Sequence, residues 1–347
     1  MTAESGESGR PQVHLFLLAG QFPGMDHAAA LSAALSYALA AERHGFAGVW
    51  MAEHHFISYG VCPSALAFAG HVLGRTSRLR VGTAACVLSN RHPVALAEEA
   101  ALLDQLSGGR LALGVARGGP WVDLEVFGTG LDRYATGFAE SLDLMRQWLS
   151  GVSTVAADGR HFRFRQVTVV PRPQRPPPIW VAATSPSTVE TAAERGLPVL
   201  LGMHATDVEK ATLLTRYRQT AARHGHEAAA PAHASAHLAQ VAGSDEEAAD
   251  IVRGSLPALL EGTRQYVRID GSPPAHRDLA GYTERLISIG AVGTPETCRQ
   301  RLAASVAATG ARHVLLMVEA AGDPDRVLRN IADLGSALSL GDPAAPG

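Results

Sequence analysis

The sequence predicts an α/β protein built as a single (β/α)8 TIM barrel with a small β excursion and a long mobile loop. Three observations lead there. Short apolar runs alternate with helical stretches along the whole chain, and the runs number eight. The first run is followed by AGQFPGMD, not by the G-x-G-x-x-G turn of a doubly wound sheet, the main competitor. At 347 residues the chain is longer than the roughly 250 of a plain barrel, which leaves room for excursions. No internal repeat or linker is visible, so residues 1–347 are predicted to form one domain with disordered tails at 1–11 and 340–347.

The elements follow in order. VHLFLL (13–18) is a bulky apolar run suited to a buried strand. Leu31, Leu35 and Leu39 recur every fourth residue behind it and predict a helix ending at Gly45. AGVWM (47–51) is the second strand, with a helix over about 64–74 after it. LRVGTAACVL (79–88) is the third, and helix 93–107 opens on Pro93 and closes on Gly108-Gly109. LALGV (111–115) is the fourth, followed by a helix near 135–149. Residues 153–170 break the rhythm: GRHFRFRQVTVV alternates and reads as a β excursion, ahead of the Pro-rich PRPQRPPP (171–178). IWVA (179–182), PVLLG (198–202), AHLAQV (236–241) and HVLLMV (313–318) complete the eight. Capping-box spacings at Ser187-x-x-Glu190, Thr206-x-x-Glu209 and Ser244-x-x-Glu247 start three of the later helices. Thr294-Pro295 starts another, and a helix over 325–338 closes the chain. Residues 255–293 lack clean periodicity and are rich in Gly, Pro, Arg and Asp, which predicts a long loop of the functional or mobile kind.

Composition narrows the function classes. The formal charge is −3, from 30 basic and 33 acidic residues, and Lys210 is the only lysine. No basic stripe invites nucleic acid. No apolar run approaches the roughly 18 residues a membrane span needs. The polar start MTAESGESGRPQ reads as no signal peptide, so a cytoplasmic location is expected. Cys62, Cys86 and Cys298 are isolated from one another, which argues against a disulfide framework or structural zinc.

In this fold the chemistry sits at the carboxyl ends of the strands. The second strand runs into Glu53-His54-His55. Regular β geometry would turn the two histidines to opposite sides, one to the site and one to packing, and an ordinary polar loop pair is the bland reading. Histidine, with an ordinary pKa near neutrality, suits proton transfer. A metal is disfavoured, because the first strand offers only His14 at its start. Arg117 beside Gly118-Gly119, after the fourth strand, suits an anion, or is a solvated arginine in a glycine turn. Thr184-Ser185-Pro186-Ser187-Thr188 lies at a helix N-terminus and is either a second half of that anion cradle or a simple cap. The small side chains of Gly82-Thr83-Ala84-Ala85 leave room for a flat ring, or mark a tight packing spot.

Taken together, VWMAEHHFISYG, VGTAACVLSNRHPVALAEEAALLDQLSGGRLALGVARG, VFGTG, WVAATSPSTVETAAERGLPVLL and VGTPETC strongly resemble the α subunit of bacterial luciferase, in the same order and over roughly residues 13–335. The resemblance to luciferase-like flavin monooxygenases implies a barrel, reduced FMN as a dissociable co-substrate supplied by a separate flavin reductase, and dioxygen. A small organic substrate would be oxygenated through a flavin hydroperoxide. It implies that His54 is the acid/base histidine and that Ala84-Ala85 are the small pair joined by a non-prolyl cis peptide under the flavin ring. Arg117, Thr184, Ser185 and Thr188 would stand around the phosphate. His55 and Glu319 would border the substrate pocket, 255–290 would be the mobile shielding loop, and a homodimer would pair through helices 64–74 and 93–107. Four positions depart from the luciferase pattern. Ala116 stands for a reactive cysteine, Thr184 for a glutamate, Met203 for a tryptophan, and Arg133 is displaced by two from a second phosphate arginine. The resemblance therefore implies flavin chemistry, and not long-chain aldehyde specificity or light emission. Two other readings stay open: a deazaflavin-dependent oxidoreductase on the same fold, and a non-catalytic flavin-binding subunit.

Overall fold

Buried on both faces, the eight apolar runs become eight parallel staves in a computed structural model that describes residues 10–226, 232–265 and 278–340. They are β1 (Gln12–Leu17), β2 (Gly48–Met51), β3 (Arg80–Thr83), β4 (Leu111–Ala116), β5 (Ile179–Ala183), β6 (Val199–Leu201), β7 (Ala234–Val241) and β8 (His313–Met317). Each pairs with the next, β8 pairs with β1 from Gln12–His313 to Phe16–Met317, and Leu200–Ala234 joins β6 to β7. The ring is closed. Around it run α1 (His27–Arg43), α2 (Ala65–Leu73), α3 (Pro93–Ser107), α4 (Trp121–Val126), α5 (Gly130–Leu149), α6 (Pro186–Ala193), α7 (Asp207–Arg223), α8 (Asp245–Glu261), α9 (Leu279–Ile289), α10 (Pro295–Thr309) and α11 (Pro324–Ala337). The alternation at 153–170 is an antiparallel hairpin, Thr154–Asp158 with Arg163–Thr168. No helix among the described residues is long and apolar enough to cross a membrane.

Strand alternation divides the core. On β2, Val49 and Met51 pack outward against helices, whereas Trp50 points into the barrel. There Trp50 and Trp180 meet edge to face at 5.1 Å, and His14 Nε2 bonds His313 Nδ1 at 3.0 Å. These rings plug the lower half of the barrel. Gly82 exists for that plug: a Cβ there would come within 2.3 Å of Trp50. The smallness of the third strand at Gly82 thus serves packing, and only Ala84 of that stretch opens toward the cleft above. Thr83 is spent as well, its hydroxyl donating to Gly114 O at 2.7 Å.

One local expectation, the first helix, is met through other residues, and two need correction. The buried face of α1 is alanine (Ala30, Ala34, Ala38, Ala41) with Tyr37, and Leu31, Leu35 and Leu39 lie half-buried on its shoulder. Helix α6 is capped by Ser185 with Pro186 in its first turn, two residues before the Ser187-x-x-Glu190 spacing. The 255–293 stretch is largely not loop. α8 runs on through Pro257 to Glu261 and buries Leu256, Leu259 and Leu260, and α9 and a short strand Ala291–Gly293 follow. Residues 266–277 of that segment, and 1–9 and 341–347 of the tails expected at 1–11 and 340–347, lie outside the described residues.

Candidate active site

At the carboxyl ends of the staves lies a cleft of about 340 Å³ with an apolar floor that includes Phe16, Leu18, Leu200 and Ala236. β2 ends at Met51, so residues 52–56 are freed from strand alternation, and His54 and His55 both line the cleft instead of facing opposite ways. His54 N–H bonds Cys62 O at 3.0 Å, and its ring stands edge-on to Tyr59 at 5.2 Å. Its Nδ1 is buried with no partner, and a Cβ on Gly60 would sit 2.4 Å from that atom, so glycine is required there. Burial, helped by neighbouring His55 and opposed by Glu53, lowers His54 to about 4. The imidazole is therefore neutral at pH 7, well below the near-neutral value expected of a free histidine. Glu53 holds the loop in place, accepting from Val87 N at 2.9 Å and Ala65 N at 3.2 Å.

Opposite lies the cationic end. Arg117 follows β4 and has no ion pair among the described residues; its guanidinium rests over the Tyr134 ring at 5.0 Å. Gly118 beside it adopts a left-handed backbone, φ +97°, against Val87. Thr184 and Thr188 line the same cleft at the N-terminus of α6. Ser185 stands just behind, its hydroxyl 3.0 Å from that of Thr188. An unpaired guanidinium facing hydroxyls and a helix N-terminus is chemistry that accepts a phosphate dianion.

Of the residues singled out in the sequence, the structure brings His54, His55, Ala84, Arg117, Thr184 and Thr188 to one cleft. Ala85, joined to Ala84 by a cis peptide, is buried behind it, and Ser185 acts as the α6 cap. Glu319 does not line the cleft. It is 2% exposed and its carboxylate accepts from the N–H groups of Leu18 and, at 3.1 Å, Gly20. Burial pushes that carboxyl up to about 7 against those hydrogen bonds. Arg133 is also elsewhere, donating to the carbonyls of Leu88 and Arg91. Sequence reading missed Asp123, Tyr59 and His204, all of which line the cleft. Asp123 had one signal, an acid among the bulky apolar residues of WVDLEVF.

A half-buried neutral histidine and an anion cradle thus share one cleft at the mouth of the barrel. Among the described residues no three His, Cys, Asp or Glu gather for a metal. Residues 12–313 match the model of the luciferase-like monooxygenase family, to which this chain belongs. The chain is 31% identical over 342 residues to the alkanal monooxygenase alpha chain of the Kryptophanaron alfredi symbiont, covering 91% of this chain and 94% of that one. Its fold is shared with the monooxygenase RslO1 from Streptomyces bottropensis, with TM-score 0.81 and 24% identity over 94% of this chain and 98% of that one. The oxygenating constituent of 3,6-diketocamphane monooxygenase from Pseudomonas putida, a structure in complex with FMN, has TM-score 0.76 and 19% identity over 94% and 97%.

Proposed function

We propose that this chain is the oxygenating component of a two-component monooxygenase that uses reduced FMN and dioxygen on a small organic substrate. The observation that carries the reading is the unpaired Arg117 set against the α6 N-terminus in the cleft that also holds His54. Arg117, Thr184 and Thr188 would hold the phosphate, with Ser185 orienting Thr188, and the Ala84-Ala85 pair would lie under the ring. Bound reduced flavin would supply the two electrons that activate dioxygen. His54, neutral and with Nδ1 closed off against Gly60, takes or returns a proton at Nε2, and His55 borders the substrate. The apolar floor excludes water from the reacting atoms. A separate flavin reductase would deliver the cofactor, and a homodimer is the assembly.

Anaerobic titration decides between this reading and the deazaflavin alternative. Reduced FMN is expected to bind at least about tenfold tighter than the reduced deazaflavin cofactor, because FMN ends in a phosphate dianion whereas the deazaflavin carries a monoanionic phosphodiester, a difference of about one charge-assisted contact. Tighter binding of the deazaflavin, or no binding of either, overturns it.

A further inference from the structure

Arg117 is the only lysine or arginine among the described residues that line the cleft, so the charge of the cradle rests on one guanidinium. Its main chain is fixed from two sides. The Arg117 carbonyl accepts from the hydroxyl of Ser89, which is 2% exposed, and a Cβ on Gly118 would come within 2.6 Å of Val87. The side chain needs its own support, because an arginine is among the costliest residues to immobilise.

Tyr134 gives that support. It is half-buried near the start of α5, with the Arg117 guanidinium carbon 5.0 Å from its ring centroid, inside the roughly 6 Å reach of a cation–π contact. The preceding residue, Arg133, donates to the carbonyls of Leu88 and Arg91 and lies over the Phe162 ring at 5.0 Å. Ser89 belongs to that same short turn, Leu88–Asn90. One turn therefore sets both the backbone of Arg117 and the start of α5, and so brings guanidinium and ring into register. The type of partner also matters. A carboxylate would neutralise the guanidinium and occupy the N–H edge that an anion needs. A ring covers one face and leaves the charge and the in-plane N–H groups to a ligand.

We propose that Tyr134 is a positioning residue for the phosphate end of the flavin, holding Arg117 by one face before the ligand arrives, with the N–H edge turned to the phosphate. The inference deepens the FMN reading and rests on it for the identity of the anion. Tyr134 does not line the cleft, so it acts through Arg117 and not on the flavin itself.

The test is an anaerobic titration of reduced FMN and reduced riboflavin against the wild type, Tyr134→Phe, Tyr134→Leu, Arg117→Ala, and Tyr134→Leu combined with Arg117→Ala. Tyr134→Leu is expected to weaken FMN by about three- to tenfold, the worth of a cation–π contact, and riboflavin by less than about twofold. Tyr134→Phe keeps the ring and should stay within about twofold of the wild type for both flavins. Once Arg117 is alanine, Tyr134→Leu should change FMN affinity by less than about twofold, whereas a merely structural tyrosine would weaken FMN there as well. Equal weakening of both flavins by Tyr134→Leu, or additive effects of the two substitutions, overturns the proposal. Should Tyr134→Leu fail to fold, proton NMR of the wild type decides. The Arg117 side-chain resonances, assigned by their loss in Arg117→Ala, should lie upfield as protons over an aromatic ring do, with and without FMN; ordinary positions overturn the proposal. A wild type that binds both flavins alike sinks the FMN reading together with this one. A wild-type preference for FMN that Tyr134→Leu leaves unchanged sinks Tyr134 alone.

Discussion

In the proposed reaction His54 carries the proton step, and its environment sets a direction for its pH dependence. Burial lowers it to about 4, so the neutral imidazole persists through the neutral range. Product formation that needs this neutral form is expected to lose its acid limb near pH 4 and not near 6.5. A limb near 6.5 in kcat would show that His54 is solvated in the working complex. His54→Ala is expected to abolish product while flavin affinity stays within about fivefold, because the ring is set against Tyr59 and not in the phosphate cradle. Arg117 makes the complementary case. Arg117→Ala should weaken FMN by about ten- to hundredfold and riboflavin much less, since only FMN carries the phosphate. Equal weakening, measured by equilibrium fluorescence, would assign Arg117 to the ring or the fold. Both residues were legible in the sequence because each lies within three residues of the carboxyl end of a barrel strand. Asp123 was not: its burial comes from a six-residue helix too short to show a period, and its partner Asn90 is 33 positions away.

At the level of elements, the staves were readable because strands buried on both faces leave near-continuous apolar runs. The helices were readable where caps and periodicity agreed, as at Thr206-x-x-Glu209, where a full capping box forms. α8 failed that reading because Pro257 and Gly254 look like breakers, although Leu256, Leu259 and Leu260 keep a helical spacing. Proline also removes an N–H donor and usually breaks a helix, so tertiary contact decides here. Leu259 fills the space that Gly20 leaves open, since a Cβ on Gly20 would approach it to 2.7 Å. Amides over 252–260 are therefore expected to exchange slowly in the ligand-free protein, against a mobile loop across the whole of 255–290. Leu256→Ala should cost about 2–5 kcal/mol in chemical denaturation, the range for deleting a buried leucine. Fast exchange there, or a loss below about 0.5 kcal/mol, would return the segment to a loop.

The whole molecule carries two further consequences, and the first concerns acid. His54, His233 and His313 are lowered to about 4, His237 to about 3, and His14 well below its ordinary value, in each case chiefly by burial. The unfolded chain takes up these protons near pH 6.5, before the fold does, so their contribution is present above 6.5 and is lost as pH falls toward 4. Glu319 runs the other way: its carboxyl is raised to about 7, so its contribution shrinks as pH climbs from about 4.5 to 7. One carboxyl does not offset His54, His233, His237 and His313, where a two-unit shift carries roughly 3 kcal/mol and a domain has about 5–15 to lose; His14 adds in the same direction. Cooperative unfolding between pH 6.5 and 4, followed by circular dichroism, is the expected outcome, and a chain still folded at pH 3.5 would contradict it.

The second is assembly. The homodimer implied by the family resemblance would use α2 and α3, which are rich in alanine. The structure turns most of these alanines inward: Ala65, Ala69, Ala97, Ala100 and Ala101 are 0% exposed and belong to the core between helices and barrel. A charge at Ala69 or Ala97 is thus expected to lower thermal stability and says nothing of a partner. The outward face of α3 holds Leu102 and Leu106, 49% and 77% exposed and four residues apart on one side of the helix. Single exposed leucines are ordinary, but a pair at helical spacing is the kind of seam a two-fold contact repeats on both subunits. Leu106→Glu combined with Leu102→Glu is therefore expected to leave the melting curve of the subunit near that of the wild type while shifting sedimentation from dimer to monomer at micromolar concentration. A wild type that sediments as a monomer there refutes the dimer, and a dimer indifferent to both glutamates moves the contact to another face.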